Sequence, residues 1–283
     1  MNKISLVVDS SFGLTKEQCN EKGLYFIPII VDFEGQEYES GISINNDFLV
    51  ENMTASTKVK TAAVRLGDLE ATIREASENS EKVIVLTLSK HLSSINSSAT
   101  LVAKDFDNVH VYDSQLISPW TFANKDVIIN LANEGKEEEL IKVLDTISET
   151  SRGYLVPHNL DSLYAGGRIS KVQYLAGNLL KVQPIITVEE GRLDKSEVIK
   201  ERRYSKAIAK VVELIKEDMK DLESKGLEFE ILTLHVGSEE NHKLLLEKLN
   251  EEGVKASKTT ILTPAIVAHT GPGTVAVAIS IKN

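Results

Sequence analysis

The chain has 283 residues, of which 42% are hydrophobic and 26% are charged, and its formal net charge is −10. This composition is ordinary for a globular protein with a substantial core, and the length favours two domains of about 140 residues. The acidic balance, without a Lys/Arg run longer than two residues, argues against nucleic acid or an anionic membrane surface as a partner.

In the first half, apolar and β-branched runs alternate with amphipathic runs. The predicted strands are 4–8, 24–33, 82–88 and 109–112, and the predicted helices are 15–22, 46–53, 67–78, 92–104, 119–132 and 137–149. Buried strands separated by helices of this length predict a parallel, doubly wound, Rossmann-like α/β sheet.

The carboxyl ends of these strands share polar chemistry. "VVDSS" (7–11) and "VYDSQ" (111–115) both pass from an apolar strand into Asp-Ser, and "LTLSKHLSS" (86–94) passes into serines. Ligands of doubly wound sheets gather beyond these ends. Helix capping explains Asp9 and Asp113. A helix cap needs only one hydroxyl, so the additional hydroxyls at the start of one helix are suited to bind an anionic oxygen of a ligand. The crowded serines are Ser93, Ser94, Ser97 and Ser98.

From about residue 151 the pattern becomes strand-rich α+β. The predicted strands are 151–157, 228–236, 258–263 and 274–281, with a hairpin within 182–200 turned at Glu190-Gly191 and helices at 204–222 and 239–252. No Gly/Ser-rich linker separates the halves, so we place the boundary within about ten residues of position 155. The predicted domains are 1–155 and 156–283, and the cleft between them is a candidate ligand site.

Several classes of site are missing from the sequence. There is no phosphate loop, no dinucleotide fingerprint and no G-x-S-x-G nucleophile elbow. His235 and His242 lack the spacing of a metal-binding pair, and the single Cys19 excludes an internal disulfide and a multi-cysteine metal site. Met1 leads into a strand without an export signal, and no apolar run approaches the ~20 residues of a membrane span. We therefore expect a cytoplasmic protein without a metal.

Two glycine motifs stand out in the second half. "LYAGGRIS" (163–170) ends a short predicted helix at Gly166-Gly167 and continues into Arg168, and "AHTGPG" (268–273) places His269 between an apolar run and a flexible turn. A helix stop explains the first motif, and a tight turn beside a structural histidine explains the second. An oxyanion site, with close backbone approach at the turn, explains them as well.

Taken together, these stretches resemble the DegV family of bacterial fatty-acid-binding proteins, which serve as acyl carriers for a fatty-acid kinase. The matching pieces occur in the family's order and cover nearly the whole chain: "VVDSS", Thr61 in "VKTAAVR", Ser93 in "LSKHLSSINSSA", "VYDS", "LYAGGRIS" and "AHTGPG". The resemblance implies a Rossmann-like N-terminal domain followed by a smaller, two-layer α/β domain with a mixed sheet.

The resemblance also implies a head-group site, in which the carboxylate of a fatty acid meets Thr61, Ser93 and His269. Two hydroxyls and an imidazole suit this role, because a carboxylate removed from water needs several donors, and histidine can donate as a cation or as a neutral tautomer. The residues expected to support this site are Ser10, Ser94, Thr270 and Gly271.

The implied function is that of a carrier. It binds a long-chain fatty acid in an apolar tunnel and presents it to a fatty-acid kinase for acyl phosphate formation, with Arg168 and Arg202 meeting the partner or the phosphate. Burial of ~14 methylenes is worth roughly 11 kcal/mol before ordering costs, so the tail supplies most of the affinity. The nucleotide site would then lie in the kinase, and we expect no enzymatic activity and no cofactor in this chain.

Two other classes of function stay open. A hydrolase could use Ser10 or Ser93 with His269, and a Rossmann-type sensor could bind a polar ligand in the cleft. The chain also departs from the family pattern at Ala62-Ala63-Val64, at Ser94-Ile95 and at Pro119-Trp120-Thr121-Phe122. These departures concern the neighbours of the head-group residues, and we expect Trp120 and Phe122 to narrow the tunnel.

Overall fold

The structure is a computed structural model that describes residues 2–54, 57–178, 182–193, 199–260 and 262–282. The strands are β1 (Asn2–Asp9), β2 (Tyr25–Ile27), β3 (Ile30–Phe33), β4 (Gln36–Glu39), β5 (Val59–Ala62), β6 (Ser80–Thr87), β7 (Val109–Asp113), β8 (Arg152–Val156), β9 (Gln183–Glu189), β10 (Ile199–Glu201), β11 (Phe229–His235), β12 (Lys258–Thr260) and β13 (Val275–Ile281).

The helices are α1 (Lys16–Glu21), α2 (Asn46–Asn52), α3 (Leu66–Glu78), α4 (Ile95–Ala103), α5 (Ser118–Ala123), α6 (Lys125–Glu134), α7 (Glu137–Thr150), α8 (Asp161–Ala165), α9 (Lys171–Asn178), α10 (Tyr204–Ser224), α11 (Glu239–Glu251) and α12 (Pro264–Thr270). A short 3₁₀ turn (Ser10–Phe12) follows β1. Within the described part of the chain, no helix combines the length and the apolar character needed to cross a membrane.

A parallel four-stranded sheet in the order β2-β1-β6-β7 forms the first half, which confirms the predicted α/β class. Successive residues of β1 point to opposite faces. Val7 joins a cluster with α3 and α4, whereas Leu6 and Val8 join a cluster with α6 and α7. Both faces of the sheet are therefore covered by helices, as the doubly wound pattern predicts.

The predicted single strand over 24–33 is wrong, because the chain breaks at Pro28 into β2 and β3. Proline has no N–H to donate to a ladder, and the next amide, that of Ile29, donates to the Oγ of Ser10 instead of a neighbouring strand (3.2 Å). Strand β3 joins a separate antiparallel sheet in the order β4-β3-β5, which the sequence analysis missed. This small sheet carries Thr61 on β5.

A mixed six-stranded sheet in the order β10-β9-β8-β13-β11-β12 forms the second half, with only β11 and β12 parallel among its described pairs. The predicted hairpin is confirmed by the antiparallel β9 and β10. Its turn at Glu190-Gly191 has positive φ at both residues, and the segment 194–198 lies outside the described residues. Strand β8 belongs to this sheet from Arg152 onwards, and the domain boundary at 155 stays a prediction.

Helix α5 joins the two large sheets. The side chain of Trp120 is only 3% exposed, and its indole N–H donates to the carbonyl of Ile279 on β13 (2.9 Å). On β13, Val277 packs with α10 and α11, whereas Ala276 and Ala278 face the cluster that contains Trp120. The small alanines leave room for the indole, so a continuous apolar core runs between the sheets.

Candidate functional site

His269 lies on the last turn of α12, a short buried helix where the sequence suggested only a turn. The helix has Pro264 in its first turn, and it ends at Gly271, whose positive φ of 74° stops further helical bonding. The imidazole is 9% exposed, and its Nε2 lies 2.8 Å from the Oγ1 of Thr61. The fold thus joins two predicted head-group residues that stand 208 positions apart.

Burial fixes the charge of this ring. It lowers the pKa of His269 to about 3, and the positive charge of Arg168 acts in the same direction. The imidazole is therefore neutral near pH 7, with one N–H donor and one acceptor nitrogen. Of the two forms considered from the sequence, the structure favours the neutral tautomer over the cation.

The partners of the two ring nitrogens indicate where the proton lies. Nδ1 is buried and has no hydrogen-bond partner among the described residues. A buried N–H without a partner is rarer in proteins than a buried acceptor without one, so we assign the proton to Nε2. Nε2–H then donates to the Oγ1 of Thr61, and the hydroxyl proton of Thr61 is left to donate to another acceptor.

Ser93 offers a second hydroxyl of the same kind. It lies in the loop between β6 and α4, and its Oγ accepts the N–H of Ile95 at 3.3 Å. An oxygen that accepts in this way keeps its own proton for a different acceptor. Thr61 and Ser93 therefore both present O–H donors, which is the chemistry that a carboxylate requires.

A small, narrow cavity connects these groups. Its volume is about 60 Å³, and its wall contains Thr61, Ser93 and His269 together with apolar side chains from both halves of the chain. The apolar members include Ile29, Leu88, Ile117, Leu155, Leu163 and Leu193. Sequence reasoning did not find these residues, because an apolar wall has no motif that separates it from ordinary core.

The supporting residues are distributed differently. Thr270 lines the cavity, but Ser10 lies behind the wall, where its Oγ accepts the amide of Ile29. Ser94 directly precedes α4 as its N-cap but makes no side-chain capping bond, and Gly271 lines a neighbouring groove. The structure therefore brings only Thr270 of the four to the described cavity wall.

The neighbouring groove is open and polar, with a volume of about 920 Å³. Its lining includes Lys58, Lys60, His158 and Asp161. Thr270 belongs to both the groove and the small cavity, and Lys60 directly precedes Thr61 on β5. The end of the cavity that contains Thr270 thus lies next to an open groove.

Arg168 lines the cavity and closes part of its wall. Its Nε and Nη2 donate to the carbonyl of Leu92 at 3.1 and 2.8 Å, and its Nη1 donates to the carbonyl of Gly166. Burial lowers the pKa of this guanidinium. Arg202 is exposed and follows β10 directly. The two arginines, which the sequence analysis grouped together, therefore lie in different surroundings.

Gly166 is required by close packing rather than by its backbone angles. Its φ is −76°, which any residue can adopt, but a Cβ built on it would lie 2.0 Å from the Nδ1 of His269. Gly167 has a positive φ of 71° and open space around it. Gly166 thus allows the close contact with the imidazole, and Gly167 allows the backbone to turn into Arg168.

Neither Trp120 nor Phe122 belongs to the wall of the described cavity, and their effect on a tunnel that admits a fatty acid stays a prediction. Trp120 packs against Gly153, where a Cβ would come within 3.0 Å of the indole, and Phe122 packs against Gly13. Both aromatic side chains stabilise the packing of α5 instead.

The hydrogen bonds do not assemble a Ser/His/Asp triad from Ser10, His269 and Asp9, which a hydrolase that uses Ser10 would need. Both carboxylate oxygens of Asp9 accept backbone amides, and the Oγ of Ser10 accepts the amide of Ile29. The Nε2 of His269 contacts Thr61 rather than a serine. Within the described residues, no group of three or more His, Cys, Asp or Glu side chains is placed to hold a metal ion.

The fold and the site define an α/β protein of two main sheets, with a small and mostly apolar cavity whose wall contains hydroxyl groups and a neutral imidazole. The chain belongs to the DegV family, since residues 3–282 match the family model described as "Uncharacterised protein, DegV family". A DegV domain-containing protein of Staphylococcus aureus (strain COL) is 30% identical over 278 residues, which cover 97% of this chain and 98% of the relative.

Solved structures of the family agree with this fold. A DegV family protein from Thermus thermophilus, described by its fatty acid binding, has a TM-score of 0.84 and 25% identity. DegV of Bacillus subtilis, described as a fatty acid binding protein, has a TM-score of 0.81 and 28% identity. In both comparisons all of this chain and all of the other chain are covered.

Proposed function

We propose that this protein binds a long-chain fatty acid, with the tail among the apolar side chains of the cavity and the carboxylate at Thr61, Ser93 and His269. The observation that carries the proposal is the direction of the hydrogen bonds. The Oγ of Ser93 accepts the amide of Ile95, and in the assigned tautomer the Oγ1 of Thr61 accepts the Nε2–H of His269, so both hydroxyl protons remain available to an acceptor. A carboxylate is an acceptor with two oxygens, and the two fatty-acid-binding relatives support this ligand class.

The energetics favour an acid with a long tail. Burial of ~14 methylenes supplies roughly 11 kcal/mol before ordering costs, whereas a hydrogen bond to a charged group contributes about 1.5–3 kcal/mol. The tail therefore provides the affinity, and the hydroxyls fix which end of the ligand lies beside the polar groove.

The size of the cavity adds a requirement. Its volume of about 60 Å³ is below the roughly 300–1,000 Å³ of ordinary ligand pockets. The apolar side chains of the wall must therefore move apart to admit the tail. Leu163 on α8 and Leu193 beyond β9 come from different segments of the wall, so their separation would widen the cavity without breaking a sheet.

Mass spectrometry of organic extracts from the purified, denatured protein tests the proposal. We expect a long-chain fatty acid in a molar amount close to that of the protein. The native protein stripped of lipid should take up the same acid when it is offered. A protein that carries no fatty acid and takes up none would overturn the proposal.

We further propose that the bound acid is presented to a fatty-acid kinase, which forms the acyl phosphate. This role is supported by the family resemblance, by the missing phosphate loop, and by the open groove beside Thr270. Arg202, which is exposed, is proposed to dock the kinase. Arg168 can contribute to docking or to phosphate binding only if its guanidinium leaves the carbonyl of Leu92.

Paired measurements on two variants test this second step. For Arg202→Ala we expect unchanged affinity for the fatty acid and a turnover with the cognate kinase that is at least tenfold lower, or about 1.4 kcal/mol. For Arg168→Ala we expect both quantities to fall, because the variant also releases Leu92 from the cavity wall. Unchanged turnover of Arg202→Ala at saturating acid would remove Arg202 from the docking surface.

A further inference from the structure

The loop that carries Ser93 is held from both sides by the repeated Asp-Ser motif. Strand β6 lies between β1 and β7, and the loop that follows it contributes Leu88 and Ser93 to the cavity wall. Asp9 ends β1, and Asp113 ends β7. The two motifs therefore flank the start of the loop.

Each aspartate makes a capping bond and one further bond to a backbone amide, and the Oδ2 of Asp113 also pairs with the Nζ of Lys90 at 3.3 Å. In Asp9, which is 2% exposed, Oδ1 accepts the amide of Ser11 at 2.7 Å and Oδ2 accepts the amide of Leu88 at 2.6 Å. In Asp113, Oδ1 accepts the amides of both Gln115 (3.3 Å) and Lys90 (3.1 Å). The bonds to Ser11 and Gln115 are the local turns that capping explains. The bonds to Leu88 and Lys90 reach into another segment of the chain.

These two remote bonds fix the residue between them. Leu88 and Lys90 are the neighbours of Ser89, and the carbonyl of Ser89 accepts the amide of Ser93 at 3.1 Å. The orientation of one peptide carbonyl thus depends on both carboxylates, and the backbone of Ser93 depends on that carbonyl. We propose that Asp9 and Asp113 are positioning residues, which hold the Ser93 hydroxyl in place for the ligand carboxylate.

The proposal rests on the proposed function, but the geometry makes a prediction of its own. Asparagine has one acceptor oxygen and replaces the other oxygen by an NH₂ group. Because Asp9 uses both oxygens, Asp9→Asn must turn a donor towards either Ser11 or Leu88. Asp113 uses Oδ1 for both amides, so Asp113→Asn can keep both amide bonds and loses the ion pair of Oδ2 with the Nζ of Lys90, whereas Asp113→Ala loses all three interactions.

The experiment compares the affinity for a saturated long-chain fatty acid with that for the primary alcohol of the same length. We expect the acid-to-alcohol affinity ratio to fall about fivefold or more in Asp9→Asn and in Asp113→Ala. The fall should be clearly smaller in Asp113→Asn than in Asp113→Ala. Asp126→Asn, on the exposed surface of α6, is the matched control and should keep the parent ratio.

A second readout needs no ligand. Amide hydrogen exchange, followed by NMR in the lipid-free protein, should show lost protection at Leu88 and at Ser93 in Asp9→Asn. If Ser93 keeps its protection in both Asp9→Asn and Asp113→Ala, the positioning role is refuted. An equal loss of affinity for acid and alcohol refutes it as well. A parent protein that does not prefer the acid contradicts the proposed function instead, and hydrogen exchange alone then decides the role of the aspartates.

Discussion

The neutral state of His269 has a measurable consequence for stability. Its pKa is about 3 in the folded protein because the ring is buried, and an imidazole in an unfolded chain has a pKa of about 6.5. As the pH falls below 6.5, the unfolded chain takes up a proton that the folded chain refuses. The free energy of unfolding must therefore decrease as the pH is lowered from about 6.5 to about 3.

The size of the effect follows from these two values. At pH 7 the imidazole of the unfolded chain is mostly neutral, and its protonation lowers the free energy of unfolding by about 0.2 kcal/mol. At pH 5 this imidazole is almost fully protonated in the unfolded chain, and the free energy of unfolding is lowered by about 2 kcal/mol. In His269→Gln this titration is absent, so the variant should lose about 2 kcal/mol less stability than the parent between pH 7 and pH 5. His242, whose pKa is also lowered by burial and by His235, is present in both proteins and cancels in the comparison.

Urea unfolding at the two pH values is a suitable assay, with the fluorescence of Trp120 as the probe. This residue is the only tryptophan of the chain, and it is buried between the two large sheets. His110→Gln replaces an exposed histidine and serves as the control for the loss of one imidazole. Equal stability losses in the parent and in His269→Gln would refute a buried, neutral His269.

The remaining predictions concern the cavity wall and the head-group donors. Gly166→Ala should displace the ring of His269 and lower fatty-acid affinity at least tenfold, since a Cβ would lie 2.0 Å from Nδ1. At Gly167 a Cβ meets open space, so Gly167→Ala should keep the affinity and lower the free energy of unfolding by only about 1 kcal/mol. Isothermal titration and thermal unfolding of both variants check this difference, and equal affinities would contradict it. Thr61→Val and Ser93→Ala should each weaken binding of the acid by about 1.5–3 kcal/mol while binding of the alcohol changes less. Affinities for the acid within twofold of the parent would exclude the altered hydroxyl from the head-group site.

The parts of the fold that follow local patterns could be predicted from the sequence. The runs around Val7 and Val85 are apolar and β-branched, and each is followed by an amphipathic helix, so the parallel sheet was predictable. The three-stranded sheet was not. Its strand β4 is short, charged and not fully buried, and the break at Pro28 lies inside one continuous apolar run. Strand β4 therefore lacks the apolar and polar alternation that identifies a strand, and the continuous apolar run gives no sign that it divides into two strands.

The head-group site shows the same limit. His269 was a candidate from its local setting, and Ser93 from the crowded serines, but Thr61 entered only through the family resemblance. Its role depends on the separate sheet that brings β5 to α12, and no local pattern indicates such a contact. The bonds from Asp9 to Leu88 and from Asp113 to Lys90 are also tertiary, so the sequence analysis explained both aspartates by capping alone.

The choice of donors at the site fits the proposed carrier role, in which the protein must release its ligand. Breaking a buried ion pair costs about 3–5 kcal/mol, because a charge is left without a partner, whereas an unpaired neutral donor costs about 1–3 kcal/mol. The one guanidinium in the cavity wall, that of Arg168, already donates to the carbonyls of Leu92 and Gly166. The neutral hydroxyls of Thr61 and Ser93, the first held by the Nε2–H of His269, would then orient a carboxylate without making its departure costly. In the proposed complex, the tail would hold the acid in place, and the carboxylate would stay available to chemistry from the side of the polar groove.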